Sequence, residues 1–170
     1  MQWFFLTVGY SGLAPKAPGT FGTLAALPLG VLILAFFGPQ TLFYATLLAT
    51  LAGVKLIDAY EQRSGIHDDT RIVIDELAGI WLALCIAPGV LTPLEALPTI
   101  ENGMTIQIVL SFVLFRLFDI KKPSLIGRID RDAKGGLGVM GDDLLAGVAA
   151  GISSAIIWHG LAYFMGWSAA

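Results

Sequence analysis

The chain has 170 residues, of which 56% are hydrophobic and 14% charged, with a mean hydropathy of +0.77 and a formal net charge of -3. A typical soluble domain is roughly 45–50% apolar and about 25% charged, so a disordered or highly solvated protein is excluded. The acidic balance argues against a nucleic-acid partner, and the single cysteine, Cys85, embedded in an apolar run, excludes an internal disulfide and a thiolate-based phosphatase.

The length suits one domain covering residues 1–170. Residues 1–6 carry no basic group and are followed by Pro15, Pro18 and several glycines, which does not match a cleavable signal peptide. From residue 17 to residue 54, 38 consecutive positions are uncharged. Roughly 20 residues cross a hydrocarbon core of about 30 Å, so this run predicts two passes, and Gly38-Pro39 supplies the turn between them. Further uncharged runs cover residues 77–94, 102–115 and 144–170. Spans are expected over residues 20–37, 41–57, 73–89, 104–118 and 144–165, an all-α, polytopic membrane bundle of about five helices.

Buried helices of soluble all-α proteins also contain apolar runs of about 14–18 residues. The placement of the cations separates the two readings, because Lys and Arg accumulate on the cytoplasmic side of a membrane. Lys16 precedes the first span. Lys55, Arg63 and Arg71 flank the connection between the second and third, and Arg116, Lys121, Lys122, Arg128, Arg131 and Lys134 follow the fourth. The other connections and the C-terminal tail contain none. The N-terminus is therefore expected in the cytoplasm and the C-terminus outside. Of the 13 acidic residues only Glu95 and Glu101 fall on the outer side, so the cytoplasmic face is the expected place of chemistry.

Three segments on that face are candidates. Residues 11–23 are rich in Gly, Pro and hydroxyls ahead of a helix; backbone N–H groups there, with Lys16 and Thr20, could hold a phosphate, or the segment simply makes tight turns. The second segment, residues 67–79, begins with His67 and places Asp75 and Glu76 at the start of a span, where an unpaired charge is costly. The helix dipole accounts for one carboxylate there more readily than for two. The third, residues 115–143, holds Arg116, Asp119, Lys122, Asp130 and Arg131, then a glycine-rich stretch before Asp142-Asp143. Two adjacent carboxylate pairs, Asp75-Glu76 and Asp142-Asp143, would form a cage of hard oxygens suited to Mg²⁺. One Cys and two His in the whole chain disfavour zinc.

These segments resemble the phosphatidylglycerophosphatase A family. The carriers are Gly12-Leu13-x-Pro15-x-Ala17-Pro18-Gly19-Thr20-x-Gly22, His67-Asp68, Ile74-Asp75-Glu76 with Gly79, Arg116-x-Phe118-Asp119-Ile120-x-Lys122-Pro123, Asp130-Arg131, and Gly135-Gly136-x-Gly138-Val139-Met140-x-Asp142-Asp143-x-x-Ala146-Gly147. Two positions depart from the pattern, Leu125 for a frequent proline and Thr23 for a frequent serine, and both bear on loop shape more than on activity. The resemblance implies a Mg²⁺-dependent hydrolase of the bacterial inner membrane that converts phosphatidylglycerophosphate to phosphatidylglycerol and phosphate.

On that reading Asp75, Glu76, Asp142 and Asp143 bind metal; Lys122, Arg116, Arg131, Lys16, Thr20 and His67 contact substrate; and Asp119 or Asp130 moves the proton. Other readings are another Mg²⁺-dependent phospholipid enzyme, such as a phosphatidyltransferase or phosphatidate phosphatase, or a small channel or transporter. The last predicts ionisable residues along several spans rather than at one surface. Gly147 and Gly151 form a Gly-x-x-x-Gly pair in the last span, either a homodimer face or a packing face within the chain.

Overall fold

A computed structural model describes residues 2–87, 104–123, 126–128 and 134–166. Its helices are α1 (Gln2–Leu6), α2 (Pro18–Ser64), α3 (Ile74–Ile86), α4 (Met104–Lys121) and α5 (Gly135–Met165), with a 3-10 turn at Ser11–Leu13. Among the described residues every regular element is helical, as the apolar runs led one to expect.

Proline at the first position of α2 leaves no helical hydrogen bond unmade. The helix is interrupted at Gly38, whose φ of 82° and ψ of 173° suit a residue without Cβ, and Pro39 follows with no N–H to offer. The chain folds back there. Gly22 of the first arm lies against Val73 at the start of α3 and Gly30 against Leu84 near its end, whereas Gly53 of the second arm is back beside Ile74. Both arms thus flank α3, the first parallel to it and the second antiparallel.

The five expected spans are not matched helix by helix. Among the described residues two helices, α2 and α5, are long and apolar enough to cross a membrane. The expected span at 73–89 is a helix of 13 residues, with positions 88 and 89 outside the described residues. The one at 104–118 extends to Lys121 and so contains Arg116, Asp119 and Lys121 within 18 residues. The last begins at Gly135 rather than at 144, because Gly135-Gly136 and Gly138 lie within the helix. Of these, Gly136 sits on the backbone of Val54, and its N–H donates to Asp58 Oδ1 at 2.7 Å.

The centre of the bundle is the crossing of α3 with α5. Gly147 rests on the backbone of Gly79, and Gly151 on Ala83 O and Ile86, so the two helices run parallel in close contact. The Gly-x-x-x-Gly pair is therefore taken up within the chain, which removes the motif as support for a homodimer. Phe115 of α4 packs on Gly79 from the side, and Ser154 Oγ donates to Gln107 O at 3.4 Å further along, so α4 runs antiparallel to α5. Trp81 Nε1 donates to Ala26 O at 2.8 Å and ties α3 to the first arm of α2. The five-residue α1 is too short to span a bilayer. It lies across the end of the bundle, held by Val73 N–H to Leu6 O at 2.8 Å and Gln2 Nε2 to Leu56 O at 3.0 Å.

Gly147→Leu inserts a branched side chain where backbone touches backbone and is expected to cost more than the ~1–3 kcal/mol of ordinary overpacking. Gly160→Leu, on the same helix with open space around it, is expected to be tolerated. Thermal unfolding of both variants in detergent, compared with wild type, checks this.

Candidate active site

Asp75 and Glu76 occupy the first turn of α3, next to a helix start that has no side-chain cap. Asp142 and Asp143 lie instead two turns into α5, so the dipole of a helix N-terminus does not explain them. What brings the two helices' acids together is the glycine crossing. Asp75 precedes Gly79 by four residues and Asp143 precedes Gly147 by four, so each carboxylate stands about one turn before the contact on parallel helices.

Oxygens of Asp75, Glu76 and Asp143 all lie within 4.8 Å of one another. Asp75 Oδ1 and Glu76 Oε2 are buried and accept no hydrogen bond. Three hard, inward-pointing donors, two of them with unsatisfied oxygens, are the donor set that a small divalent cation takes. The fourth expected ligand is differently engaged, since Asp142 Oδ2 receives Lys122 Nζ at 2.7 Å.

Arg116 faces this group from α4. Its Nη1 lies 2.6 Å from Asp119 Oδ2, 3.7 Å from Glu76 Oε1 and 3.3 Å from Thr23 Oγ1, while its buried Nε has no partner. The pairing of Glu76 and Arg116 requires Gly19, because a Cβ there would collide with Glu76 Oε1 and lie 3.0 Å from Arg116 Nη2. Together these residues border a cavity of about 660 Å³.

Of the residues expected from the sequence, His67, Asp75, Glu76, Arg116, Asp119, Lys122, Asp142 and Asp143 all line the cavity. Lys16 and Thr20 do not; Lys16 is exposed, and Ala17, Pro18 and Gly19 take the place foreseen for them. Asp130 and Arg131 lie outside the described residues. Glu61, Asp68 and Lys134 also line the cavity and were not anticipated. Glu61 is buried, accepts the Asp68 N–H at 3.2 Å and lies 3.1 Å from His67 Nδ1. A carboxylate in the last turn of a helix opposes the dipole, and that misfit was its signal in the sequence.

The rim beyond His67 is held by Asp69. Its carboxylate accepts Arg71 Nε at 2.9 Å, Arg71 Nη2 at 2.6 Å and Tyr60 O–H at 2.6 Å, and the guanidinium lies 5.0 Å from the Trp3 ring centre. One buried acid thus joins α1, the end of α2 and the loop before α3.

The family model for phosphatidylglycerophosphatase A matches residues 4–158 of the chain. The chain belongs to the phosphatidylglycerophosphatase A family. It is 37% identical over 165 residues to the Escherichia coli (strain K12) protein named phosphatidylglycerophosphatase A, covering 96% of this chain and 83% of that one. It is likewise 37% identical over 146 residues to the Haemophilus influenzae protein of the same name, covering 85% and 82%. No solved structure matches the chain. All cavity-lining residues fall within the stretch that matches the phosphatidylglycerophosphatase A family.

The Arg71 guanidinium holds the Asp69 carboxyl below the usual aspartate range. A group with a depressed folded-state pKa adds stability that is fully present above its unfolded pKa, about 3.9, and is lost as pH falls toward the folded value. Asp69→Asn is therefore expected to lower the unfolding temperature at neutral pH, with the gap to wild type closing as pH drops below about 4. Melting curves of both proteins across that acid range check this.

Proposed function

We propose that the protein is a phosphatidylglycerophosphatase, removing the terminal phosphate of phosphatidylglycerophosphate to leave phosphatidylglycerol. Family membership supports the activity. The observation that carries the residue assignments is the group of three carboxylates, two of them with unsatisfied buried oxygens, beside Arg116 in one cavity. Asp75, Glu76 and Asp143 are the residues assigned to Mg²⁺. When bound, that ion supplies positive charge against the phosphate oxygens and makes water more acidic.

The remaining work falls to the chain's own side chains. Arg116 lines the cavity with its guanidinium and orients the phosphate by charge-assisted hydrogen bonds. Lys122, held at the rim by Asp142, adds a second cation for the same oxygens. Asp119 lines the cavity and is fixed by Arg116, which suits it to move the proton. Water attacks phosphorus and gives its proton to Asp119; the bond from phosphorus to the glycerol oxygen breaks; Asp119 returns the proton to that oxygen. Among the described residues, gathering of acids around one cavity, rather than along a path through the bundle, favours this chemistry over ion conduction.

The same reading sets the protein in the bacterial inner membrane with about five spans, its cavity on the cytoplasmic face. Acyl chains then stay in lipid, avoiding a cost of about 0.8 kcal/mol for each CH₂ brought into water. In a Cys85→Ser background, Gln40→Cys at the α2 fold-back should label from outside and Lys134→Cys only after permeabilisation. The opposite pattern would overturn the orientation.

Phosphate release from phosphatidylglycerophosphate by the purified protein is expected to need Mg²⁺ and to stop on chelation. Asp75→Asn and Asp143→Asn should each lower kcat/KM by about 100-fold or more, as expected for loss of a group acting in the transition state. Full turnover in chelator, or full activity in both variants, would sink the assignment of the metal to these residues.

A further inference from the structure

The cavity must admit a phosphate whose diacyl tail remains in lipid, so its wall has to open sideways somewhere. The helices around it close most flanks: α3 packs extensively on α2 and α5, and α4 packs extensively on α5. The boundary between α2 and α4 is different. These two pack little against each other, and Arg116 Nη1 bridges them to Thr23 Oγ1 at 3.3 Å.

Helix geometry fixes what lies beside that bridge. At about 100° per residue, Leu27, Thr20 and Leu24 follow roughly 40°, 60° and 100° around α2 from Thr23, away from the α3-facing Gly22. On α4, Ile120, Val113 and Leu117 follow roughly 40°, 60° and 100° from Arg116, away from the α3-facing Phe115. The first arm of α2 and α4 run antiparallel, so both stripes turn to the same outer side of the bundle. Leu24 is 46% exposed, Val113 53%, Leu117 46% and Ile120 67%. Ile120 belongs at once to this stripe and to the cavity wall, so the apolar stripe reaches the edge of the polar site.

We propose that the α2–α4 crevice is where the acyl chains of the substrate lie, so that a phosphomonoester lipid enters sideways from the bilayer with its phosphate directed past Ile120 to Arg116. Rows of exposed apolar side chains occur elsewhere on the bundle, but this one leads into the cavity at the level of its cation. The crevice thereby selects for a diacyl phosphate over a water-soluble one. The assignment rests on the phosphatase reading above.

Filling the crevice tests it. Leu24→Trp and Leu117→Trp are expected to lower kcat/KM for diacyl phosphatidylglycerophosphate at least about tenfold more than for the deacylated head group, glycerophosphoglycerophosphate. Ile156→Trp, on an exposed face of α5, should leave that ratio within about twofold of wild type. Equal losses on both substrates, or none, overturn the crevice. Absence of hydrolysis in the wild type would overturn the functional reading instead, and a second measurement then still decides the crevice. In a Cys85→Ser background, Leu117→Cys carrying a benzophenone maleimide should crosslink dioleoyl phosphatidate in micelles several-fold more than Ile156→Cys with the same label. Equal yields overturn the proposal whatever the turnover.

Discussion

Three carboxylates whose oxygens lie within 4.8 Å of one another repel strongly when ionised. At an effective dielectric of about 20, two unit charges about 5 Å apart repel by about 3 kcal/mol, and several such pairs exist here. Arg116 offsets part of this, being bonded to Asp119 and close to Glu76. The rest must be carried by a framework rigid enough to hold the acids together, and by whatever cation they bind. That framework is the contact of Gly147 with the backbone of Gly79. With no side chain at either position, two parallel helices approach closely enough to bring Asp75 and Asp143 to the same point one turn earlier.

The remaining architecture serves that contact. The fold-back at Gly38 lets a single apolar helix cover α3 from both sides, with Gly22 and Gly30 on one arm and Gly53 on the other. Gly19 keeps space for Glu76 and Arg116 to meet. At the rim the stabilising forces change in kind: two buried acids, Glu61 and Asp69, organise the loop before α3 through hydrogen bonds to His67, Asp68, Arg71 and Tyr60. A packed apolar body thus carries a polar, hydrogen-bonded mouth.

Much of this was legible in the amino-acid sequence, and the errors have physical causes. The turn at Gly38-Pro39 was visible because a residue pair that disfavours helix interrupts a long apolar run. Grouping Asp75-Glu76 with Asp142-Asp143 by adjacency did not reveal how the two segments are related in space. Asp75-x-x-Ala78-Gly79 and Asp143-x-x-Ala146-Gly147 share one pattern, which aligns Asp75 with Asp143 and leaves Asp142 to Lys122. Adjacency along the chain suggested pairs, whereas a helix sends neighbours in directions about 100° apart. Lys16 and Thr20 were misplaced for a related reason, since a helix start shows its glycine to the site and not every polar residue near it.

By itself the sequence determined the helical class, the apolar bulk, the segregation of charge and the family motifs, because periodicity, hydropathy and residue identity are properties of local chain. Only the tertiary structure decided which acids meet, that Gly147 and Gly151 face α3 rather than another copy, and that Glu61 belongs to the cavity. Each of these depends on the relative placement of helices far apart along the chain. That placement is set by close contact between small residues, and no composition or spacing within one segment reports what lies on its other side.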